Sequence, residues 1–362
     1  MATAVVVGML VLLSSAAGGG AVAASASVPA ALFVFGDSLV DDGNNNALSC
    51  LAKANFFPYG VDFLRGVATG RFCNGNTFVD ALCDLLGVDY LPPFATTTTG
   101  LNSTSLFTGV NYASAAGGIL DETGHHLGER FSLSQQVLNL ESNLDTIRSQ
   151  MEGGYDDYLA KSIAVMVLGS NDYINNYLLT SLYDSGYNNS PEDYADLLID
   201  HYSRQILALY SVGLRKFLLA GVGPLGCLPS LRASGLGPRG QCVDQVNQMV
   251  GFFNQGLRSL VDQLNSDHPD AMFIYGNTYD AVHDMINNPH KYGFRVVDSG
   301  CCVLGEDGTC EPYAEPCERR ERHVFWDAYH PTEAVNLALA QTAFNGTRRQ
   351  VYPLNLQQLA HL

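Results

Sequence analysis

Basic side chains are scarce in this sequence. Its 362 residues include 19 Lys and Arg against 36 Asp and Glu, which gives a formal net charge of −17. A nucleic-acid partner is therefore excluded, because binding a polyanion requires a basic face. Only 15% of the residues are charged and 47% are hydrophobic, so the composition is not that of a disordered chain, and a large core can be buried.

Long apolar runs are also missing after residue 26, since none approaches the roughly twenty apolar residues that span a bilayer. Before that point, apolar residues from Val5 to Leu13 are followed by small residues that end at Ala23 or Ala26. This pattern predicts a signal peptide over residues 1–26, with a retained apolar N-terminal segment as the alternative. We expect a secreted, extracellular protein with no integral membrane segment after removal of the signal.

The nine cysteines lack the C-x-x-C pairs and closely spaced histidines of zinc sites, so no metal is predicted. Four of them crowd between Cys301 and Cys317, which favours disulfides in an oxidising compartment. Their pairing stays open, and the odd count leaves at least one thiol free or bound to another chain. N-x-S/T sequons at Asn102, Asn188 and Asn345 would accept glycans on the secretory route. The C-terminal QLAHL is no recognised retention signal, although residence in the endoplasmic reticulum remains an alternative to export.

Apolar runs that alternate with helical patterns predict an α/β fold. Buried strands are predicted over residues 31–35, 162–168, 216–222 and 272–275, and helices over 77–86, 133–151, 191–210, 243–264 and 332–344. Ser190 is the expected N-cap of the third helix, with Pro191 at its first position. Strands separated by long helices favour a mainly parallel sheet covered on both faces. No repeat or Pro-rich linker divides the sequence, so one domain over residues 27–362 is expected.

Polar residues follow two of the predicted strands, at the end where parallel sheets gather their reactive groups. Ser38 comes directly after the first strand in a Gly-Asp-Ser triplet and is a candidate nucleophile. A turn or helix N-cap serine is its structural alternative. Asn171 follows the second strand, where its amide could donate to a tetrahedral oxyanion. An ordinary turn residue is the alternative there.

Two further stretches carry groups that acyl transfer needs. The loop from Asn111 to Gly118 is rich in small residues, which allow its backbone to approach a ligand closely. A glycine N–H in this loop is therefore a second candidate oxyanion donor, and a tight turn is the alternative. Near the C-terminus, Asp327 precedes His330 by three residues. That spacing lets the carboxylate accept from one ring nitrogen while the other faces a nucleophile. A surface histidine ahead of a helix is the alternative.

Six blocks of sequence extend this pattern over nearly the whole chain. They are FVFGDSLVDDGNNN (33–46), TGRFCNGNTFVD (69–80), GVNYASAAGGIL (109–120), VLGSNDYINNY (167–177), GVGPLGCLP (221–229) and FWDAYHPTEAVN (325–336). Together they resemble the plant-type GDSL lipase/esterase family of the SGNH hydrolase superfamily. The resemblance implies a three-layer α/β/α sandwich with flavodoxin-like layering, and ester hydrolysis without a metal or organic cofactor.

The resemblance also implies a role for each matching residue. Ser38 matches the nucleophile, His330 its base and Asp327 the acid that orients the base. The oxyanion hole is implied to be the backbone N–H groups of Ser38 and Gly118 with the side-chain amide of Asn171. The neighbouring Gly117 stays open as the donor, because Ala116 stands where many members carry glycine.

The implied activity is hydrolysis of carboxylic esters through an acyl-serine intermediate. The alternatives are an acyltransferase that uses the same residues and a catalytically silent binding protein on the same fold. The expected partner is an ester substrate. Lipids, cutin or wax esters and O-acetylated carbohydrates all present the same carbonyl, and the sequence sets neither this choice nor the oligomeric state.

Overall fold

The central sheet is built on the predicted apolar runs. The computed structural model describes residues 28–97 and 106–362, so the predicted signal peptide and the sequon at Asn102 lie outside the described residues. The strands are β1 (Leu32–Gly36), β2 (Gly109–Asn111), β3 (Ile163–Val167), β4 (Lys216–Ala220), β5 (Met272–Gly276), β6 (Val296–Gly300), β7 (His323–Phe325) and β8 (Val351–Tyr352). The four predicted strands correspond to β1, β3, β4 and β5.

The strands of the main sheet follow the order β2-β1-β3-β4-β5-β8. All neighbours from β2 to β5 are parallel, and only the edge strand β8 is antiparallel to its partner. The predicted mainly parallel sheet is therefore confirmed. The sequence patterns predict neither β2 nor β8, because two or three residues are too few to show a period-2 alternation. A separate small sheet pairs β6 with β7.

Helices connect the strands and cover the sheet. They are α1 (Phe78–Leu86), α2 (Phe94–Thr97), α3 (Leu133–Gln150), α4 (Tyr155–Lys161), α5 (Ser170–Asp172), α6 (Ser185–Asn188), α7 (Pro191–Ser211), α8 (Pro229–Ala233), α9 (Asp244–Asp267), α10 (Thr278–Asn287), α11 (Pro289–Tyr292), α12 (Glu333–Asn345) and α13 (Leu356–Ala360). The five predicted helices match α1, α3, α7, α9 and α12. The Ser190 side chain accepts from the N–H of Asp193, as expected of the N-cap of α7.

The period-2 alternation of strand side chains produces three layers. On β1, Phe33 and Phe35 pack into a core with buried residues of α3, α7 and α9. Leu32 and Val34 point the other way, into a second core with buried residues of α1, α12 and α13. The same alternation recurs on β3, β4 and β5. An α/β/α sandwich, as expected, is the result.

A buried ion pair fixes the loop that leads into α1. The guanidinium of Arg71 donates from Nε and Nη2 to the two carboxylate oxygens of Asp80, both at 2.7 Å. Asp80 also completes a capping box with Thr77 at the start of α1. Because both charged groups are almost fully buried, removing one partner would leave the other uncompensated. The pair holds the adjacent Phe72 with its ring centroid 5.0 Å from that of His330.

Six of the nine cysteines form disulfides, which decides the pairing that the sequence left open. The bonds are Cys227–Cys242, Cys301–Cys317 and Cys302–Cys310. Cys50, Cys73 and Cys83 are free thiols. The last two disulfides lie in the segment between β6 and β7, and the loop closed by Cys302–Cys310 is nested within the loop closed by Cys301–Cys317.

The Cys227–Cys242 disulfide, which lies outside this cluster, provides a test of fold stability. Cys227 and Cys242 are separated by 15 residues, and closing a loop of this length stabilises a fold by about 3 kcal/mol. We expect the double variant Cys227→Ala, Cys242→Ala to lose about that much free energy of unfolding in urea titrations under oxidising conditions. Cys50→Ala, which removes a half-buried free thiol, should change it by less than about 1 kcal/mol. A double variant as stable as the parent would contradict the assignment.

Candidate active site

Ser38 lies where the chain leaves the sheet after β1. The preceding Gly36 is bound on both its backbone groups by the side-chain amide of Gln136, which donates to the carbonyl and accepts from the N–H. A Cβ on Gly36 would lie 2.2 Å from Cγ2 of Val40, so glycine is required for this close turn. The N–H groups of Val40 and Asp41 donate to the carbonyl of Asp37. Within the described chain, the N–H of Ser38 itself has no hydrogen-bond acceptor.

Ser38, His330 and Asp327 form a continuous chain of hydrogen bonds. Nε2 of His330 lies 2.8 Å from Oγ of Ser38, and Nδ1 lies 2.8 and 2.9 Å from the two carboxylate oxygens of Asp327. The Asp327 oxygens also accept the N–H groups of Tyr329 and His330 and the hydroxyl of Tyr59. Because Asp327 accepts, Nδ1 of the imidazole is the donor, which leaves Nε2 to accept the Ser38 hydroxyl proton.

A short turn after β7 sets the spacing of Asp327 and His330. The N–H of Trp326 donates to the carbonyl of His330 at 2.8 Å, which closes the turn around the carboxylate. Trp326 and Asp327 are fully buried, and the His330 side chain is 8% exposed. Pro331 then pairs with Phe325 in an isolated antiparallel bridge. The imidazole is thus held against the sheet rather than exposed on a surface loop.

The small-residue loop after β2 presents Gly118 to the same edge of the sheet. A Cβ on Gly118 would lie 2.4 Å from Thr123 and 2.7 Å from Oδ1 of Asp172, so a larger residue does not fit. The buried carboxylate of Asp172 accepts the N–H groups of Ile119 and Leu120 and the hydroxyl of Thr123. These bonds fix the backbone on the C-terminal side of Gly118.

The hydrogen bonds of this loop distinguish Gly117 from Gly118. The N–H of Gly117 donates to the carbonyl of Ser114 at 3.0 Å. For the N–H of Gly118, no acceptor is present among residues 28–97 and 106–362. Ala116 has φ +64°, in the left-handed region that favours glycine, which explains why a glycine would suit this position. Gly118 therefore has the free backbone donor, and Gly117 does not.

Asn171, in the short helix α5 that follows β3, has one amide hydrogen without an acceptor in the described part of the chain. Its Nδ2 donates to the carbonyl of Gly117 at 3.0 Å, and its Oδ1 accepts from Nδ2 of Asn175 at 2.7 Å. Asn175 lies in a π-helical turn over residues 173–177 with irregular backbone angles, a feature that is frequent at functional sites. Fixing the amide by its oxygen and one hydrogen leaves the second hydrogen available to a ligand.

Burial strongly affects the carboxylates around Ser38. Oδ1 of Asp37 accepts the N–H of Leu39, whereas Oδ2 is buried without a partner in the described part of the chain. Burial raises the pKa of Asp37 to about 7, opposed by the hydrogen bond from Leu39 and the nearby His330. Burial also raises the pKa of Asp172 to about 6, in spite of its three hydrogen bonds. Burial therefore raises the pKa of two acidic groups next to the site.

Ser38 and His330 line a cavity of about 450 Å³, within the range of small-molecule sites. Its polar lining residues include Ser170, Asn171 and Asn175, and also His126, Thr278, Asp307, Thr309 and Tyr329. The remaining wall is mostly apolar and is formed by Leu39, Leu51, Phe72, Ile174, Leu179, Leu225, Leu228, Val282, Val324, Phe325, Val335 and Leu339. Such a site can hold an extended apolar group with one end at the hydroxyl.

Ser38, Asn171 and His330 thus line one cavity, Asp327 is hydrogen-bonded to His330, and Gly118 follows the Gly117 carbonyl that the Asn171 amide binds. The order of strands β2, β1 and β3 brings Ser38, Gly118 and Asn171 to one edge of the sheet. The sequence analysis missed Tyr59, Gln136 and Asn175, which hold the others. No local sequence pattern identifies Tyr59, because its partner Asp327 is 268 residues away.

Cys301, Cys317 and His323 lie close enough together to resemble a metal site. The two cysteines offer no thiolate ligand, because their sulfurs are bonded to each other.

Comparison with known proteins agrees with this geometry. A family model described as GDSL-like Lipase/Acylhydrolase matches residues 32–343. GDSL esterase/lipase At1g71250 of Arabidopsis thaliana is 54% identical over 93% of this chain and 90% of its own length. GDSL esterase/lipase At5g08460 of the same plant is 52% identical over 92% of this chain and 88% of its own.

Solved structures are more distant. An α/β hydrolase enzyme from the metagenome of Lake Arreo, Spain, is 12% identical, with a TM-score of 0.40 over 86% of this chain and 91% of that chain. The fold assignment therefore depends on the strand order described above and on the family match. Both the family model and the sequence relatives cover most of the chain, and the resemblance noted from the six blocks is confirmed. The chain belongs to the GDSL-like lipase/acylhydrolase family.

Proposed function

We propose that this protein is a serine esterase that hydrolyses carboxylic esters through an acyl-serine intermediate on Ser38. The observation that carries the proposal is the unbroken hydrogen-bond chain from Ser38 through His330 to the buried Asp327, with Ser38 and His330 lining a mostly apolar cavity. A structural serine would not need an imidazole at 2.8 Å, and this imidazole is itself oriented by a carboxylate.

In the first step, Oγ of Ser38 attacks the ester carbonyl carbon while its proton moves to Nε2 of His330. Asp327 stabilises the imidazolium that forms. Collapse of the tetrahedral intermediate breaks the bond to the alcohol, which leaves with the proton from Nε2. Water then attacks the acyl-serine, with His330 taking its proton and returning it to Oγ as the acid is released. The two steps together consume one ester and one water and release one alcohol and one acid.

The oxyanion of each tetrahedral intermediate would be held by three donors. They are the backbone N–H groups of Ser38 and Gly118 and the spare amide hydrogen of Asn171. Supporting this role, both N–H groups lack acceptors in the parts of the chain described, and the Asn171 amide is fixed by two other hydrogen bonds. Donors that are held in place before the reaction cost no reorganisation during it.

The cavity favours esters with an extended acyl or alkyl group over short acetyl esters. Its wall is mostly apolar, and transfer of each methylene from water into such a site contributes about 0.8 kcal/mol. Among the candidate substrates, glycerolipids and cutin or wax esters fit this surface, whereas an O-acetylated carbohydrate would leave it unfilled.

We also infer passage through the secretory pathway. The sequence of residues 1–26 has the pattern of a signal peptide, and three disulfides suit an oxidising compartment. The sequon residues Asn188 and Asn345 are both exposed, as glycan acceptors must be. In the described portion of the chain, no helix has the length and apolar character needed to cross a membrane.

Substitution of the nucleophile tests the proposed function directly. We expect Ser38→Ala to lower kcat for p-nitrophenyl butyrate by about a thousandfold or more, because no acyl-enzyme can form. The same substitution at Ser142, on the outer side of α3, provides the matched control and should leave kcat unchanged. Circular dichroism melts must show that both variants are folded. Turnover by folded Ser38→Ala within about tenfold of the parent would refute the assignment.

The oxyanion donor can be tested separately. Removing one such donor typically lowers kcat by about a hundredfold or more, so we expect that loss in Asn171→Ala with KM changed by less than about threefold. Asn175→Ala should produce a smaller loss, since it releases the Asn171 amide without removing it. Equal activity of Asn171→Ala and the parent in the p-nitrophenyl butyrate assay would exclude the amide as a donor.

Acyl-chain preference tests the apolar cavity. We expect kcat/KM to be on the order of a thousandfold higher for p-nitrophenyl octanoate than for the acetate, because about six more methylenes are transferred from water at about 0.8 kcal/mol each. Val282 lines the cavity, so Val282→Trp would fill part of its volume and should reduce this ratio by about tenfold. Leu138→Trp, at a position 55% exposed on α3, should leave it unchanged. A preference for the acetate would contradict the lipid-like substrate class.

A further inference from the structure

The hydroxyl of Tyr59 contacts the proposed acid, although the mechanism above does not use it. It donates to Oδ2 of Asp327 at 2.7 Å, the same oxygen that lies 2.8 Å from Nδ1 of His330. Tyr59 is fully buried, with its ring packed edge-on against Phe56 and Phe72. A buried phenol on a carboxylate oxygen that also binds the imidazole is placed to control the position of both groups.

The direction of this hydrogen bond follows from its second partner. The N–H of Cys310 points at the phenol oxygen at 3.1 Å. A backbone N–H can only donate, so the phenol oxygen accepts from Cys310 and its single hydrogen is committed to Asp327. Burial and the neighbouring Asp327 raise the pKa of Tyr59 well above its usual value of 10.0. The phenol therefore stays protonated and remains a donor.

The disulfide-bonded loop holds both sides of this contact. Cys310 is bonded to Cys302, and the N–H of Cys302 donates to the carbonyl of Trp326, next to Asp327. Gly308 in the same loop accepts the N–H of Ala328. The loop thus fixes the phenol through Cys310 and the turn that carries the carboxylate through Trp326 and Ala328.

From these contacts we infer that Tyr59 is a positioning residue of the reaction, which holds Oδ2 of Asp327 and thereby the imidazole of His330 in line with Ser38. The inference depends on the proposed function, because it assigns a role within the same acid–base system. Without the phenol, Oδ2 keeps only the imidazole while Oδ1 keeps the N–H groups of Tyr329 and His330, so the carboxylate can pivot about Oδ1 and shift the imidazole relative to the serine. The effect should fall on kcat, since Tyr59 is not among the residues that line the cavity.

The test is a double-mutant cycle on kcat for p-nitrophenyl octanoate. We expect Tyr59→Phe to lower kcat by about tenfold or more with KM within about twofold, because a hydrogen bond to a charged group is lost. In the Asp327→Asn background, the same change should lower kcat by less than about twofold, since there is no carboxylate left to position. Tyr158→Phe, which removes a buried hydroxyl that donates to the carbonyl of Phe107, is the matched control and should leave kcat unchanged.

The cycle separates the possible failures. Equal losses from Tyr59→Phe in both backgrounds, or an unchanged kcat in the single variant, would overturn the positioning role. If Tyr59→Phe is too unstable to assay, the cycle is read from melting temperatures. The double variant should then be more stable than the single, because the buried carboxylate that lost its phenol donor is gone, and additive losses would overturn the role. Failure of the proposed function has a different signature, namely that Ser38→Ala and Asp327→Asn both retain parental turnover.

Discussion

The hydrogen bond between Ser38 and His330 joins residues 292 positions apart in the chain, and the remainder of the fold determines whether it forms. Ser38 is fixed by the end of β1 and by the Gln136 amide, and His330 by the turn that follows β7. The two segments are far apart in sequence, so only the tertiary packing of the sandwich brings Ser38 and His330 together. Parallel pairing of β2, β1 and β3 then brings Gly118 and Asn171 to the same edge, which is why a few short strands suffice to gather the site.

Buried carboxylates connect the loops at this edge, at an energetic cost. Asp41 accepts the N–H groups of Gly43, Asn44 and Ala115, so it joins the loop after β1 to the loop after β2. Burial nevertheless raises the pKa of Asp41 to about 6, as it does for Asp172. Each of these carboxylates accepts three hydrogen bonds from donors that an apolar side chain would leave without acceptors, which offsets part of the cost of burying it.

Much of the fold and site could be predicted from the sequence, for identifiable reasons. Four strands with apolar runs of four to seven residues and five amphipathic helices were recognised, because periodicity over such lengths is a strong signal. Ser38, Asn171 and the Asp327–His330 pair follow predicted strands or lie close together in sequence, so local patterns identify them. The short strands β2 and β8 carry no period, and the disulfide pairings and the Tyr59 contact depend on distances that only the folded chain defines. Proposing Gly118 rather than Gly117 as an oxyanion donor required knowing that the N–H of Gly117 is already bonded to the Ser114 carbonyl.

The central claim is that Ser38 is a nucleophile activated by His330, and covalent labelling tests it most directly. The protein would be treated with a p-nitrophenyl alkylphosphonate, digested, and its peptides examined by mass spectrometry, beside His330→Ala. We predict one adduct per chain, located on Ser38, with labelling of His330→Ala slower by about a hundredfold or more. An adduct on another residue, or equal labelling rates for the parent and His330→Ala, would contradict it.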